Sequence, residues 1–149
     1  MRKMNNKAAI FIILIVSVSI IWFISSHIYS FHGNKIERIT IVGKKFDAEV
    51  VSGNAKLQKG LGGRNGLCDS CAMLFKFPSP EKYTFWMKGM RFPLDIIWLK
   101  DKEIVHIEKN VSENFLGILT PQSDADSVLE INAGNVDKFG IEIGQMVEL

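Results

Sequence analysis

The sequence predicts a mainly β (small α+β) fold: a compact, partly closed β-barrel-like domain with one or two short helices, preceded by one transmembrane helix. Three observations support this prediction. A long uncharged apolar run lies near the N-terminus, many short runs of β-branched and aromatic residues follow it, and glycine or proline turns separate those runs. Many short strands with few helices indicate a barrel or a two-layer sheet, because either arrangement hides the sheet edges and encloses one core.

Composition divides the chain into four segments. Residues 1–7 form a basic N-terminus, residues 8–29 an apolar segment, residues 30–37 a short polar linker and residues 38–149 the β-rich domain. Roughly 20 mostly apolar residues are enough to cross a bilayer. We therefore expect residues 8–29 to form a signal anchor that has the lipid bilayer as its partner.

Three cations precede the apolar segment, namely Arg2, Lys3 and Lys7. Positive residues stay on the cytoplasmic side of a membrane segment. This predicts a single-pass protein of the cell membrane, with its N-terminus in the cytoplasm and its C-terminal domain outside. A cleaved signal peptide remains the alternative, since a basic start and an apolar stretch fit that interpretation too.

The positive charge of the chain comes from the same three cations. The formal net charge is +2, and without those cations it becomes −1. No basic stripe with interleaved aromatic residues is visible, so nucleic acid is not an expected partner.

Within the domain, strands are predicted wherever a β-branched or aromatic run is bounded by turn residues. A helix is predicted over residues 55–60 with Asn54 as its cap, and another within residues 132–139 ended by Gly140. The long mixed segment of residues 110–126 is a candidate binding lip. The predicted strands span residues 38–42, 46–51, 73–77, 83–88, 94–99, 104–107, 127–131 and 146–149.

The stretch of residues 83–99, YTFWMKGMRFPLDIIWL, is the predicted centre of the domain. Apolar residues alternate before Gly89, and Pro93 breaks the pattern, so two strands joined as a hairpin are expected. Asp95 is the carboxylate that stands out in a strongly apolar run, where an unpartnered charge would be costly. We therefore predict that Asp95 pairs with Lys88 across the hairpin.

Several motifs in a fixed order resemble the family known as domain of unknown function 192, over about residues 46–149. The resemblance implies a small, mostly β domain that often follows a signal peptide or a single membrane helix, and it implies no established reaction. The motifs are KGLGGR at residues 59–64, AMLFKF at 72–77, FWMKGMRFPLDIIWL at 85–99, VLEINAG at 128–134 and GIEIGQMVEL at 140–149.

Cys68 and Cys71 form one C-x-x-C motif. Outside the cytoplasm two thiols this near in sequence favour a disulfide that closes a small loop. A zinc site would need further ligands, and His106 is the only histidine inside the domain. A redox motif is typically at a helix N-terminus, whereas this motif precedes a strand. We expect no metal and no cofactor, with the redox or metal module kept as an alternative.

The candidate ligand-binding residues are Arg64, Trp86, Lys88 and Asp95, because aromatic walls with a few charged anchors are typical of small-molecule or peptide sites. Core packing is the competing interpretation for the aromatic residues. The sequence thus predicts a non-enzymatic binding module for a small ligand, a glycan or an envelope protein, with no catalytic residue assigned. The alternative is a small hydrolase or transferase that uses Asp95, Lys88 and His106 in one cleft.

Overall fold

The computed structural model describes residues 33–149, together with Ser17. The predicted anchor, apart from Ser17, and residues 30–32 of the predicted linker therefore lie outside the described residues. In residues 33–149 there is no helix with the length and apolarity needed to cross a bilayer.

Seven strands and two short helices make up the described domain, so the predicted mainly β fold with one or two short helices is confirmed. The elements are β1 (Lys35–Ile41), β2 (Lys44–Val51), α1 (Asn54–Lys59), β3 (Cys71–Glu81), β4 (Leu94–Lys100), β5 (Glu103–Val111), β6 (Ala125–Asn132), α2 (Asn135–Phe139) and β7 (Val147–Glu148).

The strands form one curled sheet in the order β5-β4-β6-β3-β2-β1-β7. Neighbouring strands are antiparallel except β2 and β3, which run parallel. An isolated bridge between Glu103 and Met146 joins the two ends of the sheet. The sheet therefore forms a half-barrel, which agrees in part with the predicted barrel-like domain.

Two apolar cores lie on opposite faces of the sheet. The inner core draws on all seven strands and on α2, and consists of Ile39, Ile41, Phe46, Ala48, Ala72, Leu74, Ile97, Leu99, Ile104, Leu129, Ile131, Val136, Ile141 and Val147. The outer core lies on the opposite face of β3, β6 and β4, and consists of Val51, Leu61, Met73, Phe75, Met87, Leu94, Ile96, Trp98, Val111, Leu119, Ala125 and Val128.

Most predicted strands are present and extend further than the sequence patterns indicate, because backbone pairing continues into polar residues at their ends. Helix α1 ends at Gly60, as predicted, but Asn54 does not cap it. Gly53 occupies the N-cap position and makes no side-chain cap bond. Helix α2 lies within the predicted range and ends at Gly140.

The predicted hairpin over residues 83–99 is wrong in its first half. Residues 83–88 do not form a strand of the sheet: Phe85 makes an isolated bridge to Leu119, and Lys88 lies in a turn. The segment crosses the outer core, where the Trp98 indole Nε1–H donates to the Tyr83 carbonyl at 2.8 Å. The predicted cross-strand pairing of Lys88 and Asp95 is therefore also wrong.

Candidate functional site

Four side chains from neighbouring strands lie in a row on the outer face of the sheet. Glu49 is opposite Met73, and Met73 is opposite Glu130, which is in turn opposite Ile96. Directly opposed residues of neighbouring strands share a face. The register therefore places two carboxyl side chains on the same face, with one methionine between them.

Arg64 neutralises the first of these carboxyl groups. Its guanidinium donates two hydrogen bonds to the Glu49 carboxylate, at 2.7 and 2.9 Å. The Arg64 side chain is 5% exposed and that of Glu49 is 1% exposed. The amide of Asn34 also donates to Glu49, at 2.6 Å. A bidentate pair with a further donor is the arrangement that a buried ion pair needs to offset its desolvation.

Glu130 is the second carboxyl group, and its environment is very different. The residue is 5% exposed, and within the described residues its Oε2 atom is buried without a hydrogen-bond partner. Burial raises the pKa of Glu130 to about 8, although the charge of Arg64 acts in the opposite direction. Glu130 is consequently mostly protonated at neutral pH, and in that form it can donate a hydrogen bond.

A pocket of about 140 Å³ opens over Glu130 on the outer face. Two aromatic contacts order its wall: Phe85 meets Phe75 edge-on with ring centres 5.0 Å apart, and Phe77 stacks on Tyr83 at 3.6 Å. The apolar and aromatic side chains that line the pocket are Leu57, Leu61, Phe75, Phe77, Tyr83, Phe85, Trp86 and Met90.

Gly60 lets the end of α1 approach the floor of this pocket. It has a φ of 48°, and a Cβ at this position would lie 3.3 Å from the Phe75 ring and 4.0 Å from Glu130 Oε2. A larger residue would be strained in this backbone conformation and would crowd the ring. The glycine thus brings the last turn of α1, with Lys59, to the mouth of the pocket.

Two of the four predicted ligand-binding residues line this pocket. Trp86 is 46% exposed at the wall, and Lys88 lies in the turn after it. Arg64 is near the site but does not line the pocket, because its guanidinium is engaged by Glu49.

Asp95 lies on the opposite, inner face of the sheet. It is fully buried, and its carboxylate accepts the backbone N–H of Asn110 at 2.7 Å and that of Val136 at 2.8 Å. These bonds tie β4 to an irregular position of β5 and to the first turn of α2. Asp95 therefore connects elements of the fold and does not line the pocket.

The structure does not assemble the alternative catalytic trio of Asp95, Lys88 and His106. His106 packs its ring against Trp98, with ring centres 5.2 Å apart, and its Nε2 lies 3.1 Å from the Glu108 carboxylate. Lys88 is exposed beside the pocket, while Asp95 faces the inner core.

Cys68 and Cys71 are joined as a disulfide, with Cα atoms 5.0 Å apart. The Asn132 amide holds the same loop by donating to the carbonyls of Leu67 and Cys68, at 3.1 and 3.0 Å. In this oxidation state neither sulfur offers a thiolate. Over residues 33–149 no cluster of three or more metal-ligating side chains occurs.

The family is shown by a match over almost all of the described domain. The sequence profile of the DUF192 family, described as Uncharacterized ACR, matches residues 37–149. The chain belongs to the DUF192 family. This confirms the resemblance that the motifs predicted.

Two solved structures are similar to this chain in sequence and in fold. A protein of unknown function from Novosphingobium aromaticivorans DSM 12444 is 30% identical, with a TM-score of 0.77, and the match covers 84% of this chain and 96% of that chain. A candidate transcription regulator from Sinorhizobium meliloti 1021 is 26% identical, with a TM-score of 0.75, and the match covers 80% of this chain and 97% of that chain. Among curated proteins, no match to this chain was found.

The sequence patterns missed the two carboxyl groups on which the site of this DUF192 domain depends. Glu130 lies between Leu129 and Ile131 in a buried strand, so Asp95 is not alone in an apolar run. Glu49 is flanked by Ala48 and Val50 in the same way. A single acidic residue inside a β-branched run was the signal available for both.

Proposed function

We propose that this DUF192 domain is a binding module that takes a small ligand into the aromatic pocket over Glu130. Of the occupants suggested by the sequence, a small ligand fits the pocket volume of about 140 Å³ better than a glycan chain or the surface of an envelope protein. We propose further that residues 8–29 tether the domain to the cell membrane and that it works outside the cytoplasm.

The observation that carries the proposal is that Glu130, which lines the pocket, has an Oε2 atom with no hydrogen-bond partner among residues 33–149. A buried polar atom without a hydrogen bond costs free energy, of the order of 1 to 3 kcal/mol. Functional sites are where such groups and strongly perturbed pKa values are concentrated. A ligand that completes the missing hydrogen bond would recover part of this cost on binding.

The test is a screen of small polar aromatic and aliphatic compounds by thermal unfolding of the full-length protein. A ligand present at a hundredfold excess over its Kd stabilises the folded state by about 2.7 kcal/mol, which raises Tm by several degrees. We expect Trp86→Ala and Glu130→Leu to abolish most of that rise.

The matched control for this screen is Phe115→Ala. Phe115 is an aromatic residue 39% exposed, comparable with Trp86, but it does not line the pocket. The control should retain the full rise in Tm. If no compound raises Tm, or if the rise survives both pocket substitutions, the pocket is not the binding site.

The proposed location has a separate test. In cells stripped of their outer layers but with an intact inner membrane, external protease should remove a tag placed after Leu149, while a tag before Met1 should be protected. This follows because positive residues such as Arg2 and Lys3 stay on the cytoplasmic side. Protection of the C-terminal tag until the membrane is lysed would contradict the proposed topology.

A further inference from the structure

The ionisable groups around the pocket leave it with a positive field at neutral pH. Lys59 and Lys88 line its mouth and are exposed. Arg64 and Glu49 do not line the pocket, and they neutralise each other as an ion pair. Glu130, the remaining carboxyl group there, is mostly protonated at neutral pH because burial raises its pKa to about 8.

The size of the pocket limits the apolar part of a ligand. Its volume of about 140 Å³ is close to that of an apolar protein cavity that holds one benzene molecule, about 150 Å³. The walls are mainly aromatic and aliphatic, which favours a body of one ring or a short alkyl chain. A larger ligand would extend past Trp86 into solvent.

We propose that the ligand is a small organic anion whose apolar body fills the aromatic pocket, whose carboxylate or similar acidic head lies between Lys59 and Lys88, and whose far end exchanges a hydrogen bond with Glu130. This inference rests on the proposed function of the pocket and adds the charge and size of the ligand. Lysine side chains at a rim attract an anion over several ångströms.

A cationic ligand is the opposite case. Aromatic walls attract cations, but two lysines would repel one, and a salt bridge at the floor would require Glu130 to release its proton. The two cases have opposite pH dependences. Binding of an anion weakens as Glu130 ionises near pH 8, whereas binding of a fixed cation strengthens over the same range.

The experiment compares three ligands of nearly equal shape by titration calorimetry on the full-length protein: 4-hydroxybenzoate, 4-hydroxybenzamide and 4-hydroxybenzamidine. They carry a negative, a neutral and a positive head. We expect the benzoate to bind at least tenfold more tightly than the amide at pH 6.5, and to lose several-fold in affinity by pH 8.5. Glu130→Gln should remove this loss, since glutamine does not titrate in that range.

The contribution of the two lysines at the pocket mouth to anion affinity is measured with the double variant Lys59→Gln/Lys88→Gln. It should weaken the benzoate about tenfold and leave the amide unchanged. The double variant Lys45→Gln/Lys138→Gln makes the same charge change at exposed lysines that do not line the pocket, and it should have little effect.

The outcomes separate the two proposals. Tighter binding of the amide or the amidine would overturn the anion inference and leave the pocket as a binding site. Equal loss of benzoate affinity in both lysine variants would overturn it as well. If none of the three ligands binds at millimolar concentration, the anion inference is contradicted, whereas the proposed function is contradicted only if the thermal-unfolding screen also finds no ligand.

Discussion

Replacing Arg64 with methionine is expected to lower the free energy of unfolding by about 3 to 5 kcal/mol. The substitution keeps a long apolar side chain but leaves the Glu49 carboxylate, 1% exposed, without its bidentate partner. Breaking a buried pair from one side strands a charge, which is the costly case. Denaturant unfolding of the full-length protein, followed by fluorescence, measures the change.

Two further variants serve as controls for the Arg64→Met measurement. Arg38→Met breaks an exposed pair with Asp47, whose side chains are 70% and 41% exposed, and should cost less than about 1 kcal/mol. Adding Glu49→Leu to Arg64→Met should recover part of the loss, because the stranded charge is removed. A loss for Arg64→Met no larger than that for Arg38→Met would show that the buried pair does not stabilise the fold.

Raising the pH from 5 to 8 is expected to destabilise the wild-type protein relative to Glu130→Gln by up to a few kcal/mol. The pKa of Glu130 is raised by burial to about 8 in the folded state, while an unfolded glutamate titrates near 4.3. Between these values the folded state binds the extra proton, so the free energy of unfolding falls as pH rises. Above the folded pKa the difference between the two proteins should level off.

The measurement is a set of denaturant curves at half-unit pH steps for both proteins. Glu142→Gln, which changes an exposed carboxyl side chain, serves as the control and should keep the wild-type pH profile. Parallel profiles for wild type and Glu130→Gln would mean that Glu130 is ionised across the whole range and that the pocket floor is charged.

The strands could be predicted from sequence because their apolar runs face one of two cores. The segment of residues 83–88 shows where that reasoning fails. Its alternation is real: Met87 is buried in the outer core, while Trp86 and Lys88 are exposed. An extended chain that lies over a core gives the same period as a strand of the sheet. Only the pairing partners distinguish the two, and Phe85 pairs with Leu119 alone.

The candidate site was harder to predict than the fold because it depends on strand order. Glu49 and Glu130 become neighbours across Met73 only because β3 lies between β2 and β6, with β2 and β3 parallel. No local pattern encodes that order. Asp95 does need partners, as expected of a carboxylate in an apolar run, but its partners are backbone N–H groups rather than Lys88.

The central claim is that Glu130 is a neutral carboxyl group at the floor of a ligand pocket. Carbon-13 NMR of the full-length protein, labelled at glutamate side-chain carboxyls and assigned with Glu130→Gln, measures its titration directly. We predict an apparent pKa near 8 that rises further when 4-hydroxybenzoate is added. A Glu130 signal that titrates near 4 to 5, and does not respond to the ligand, would contradict it.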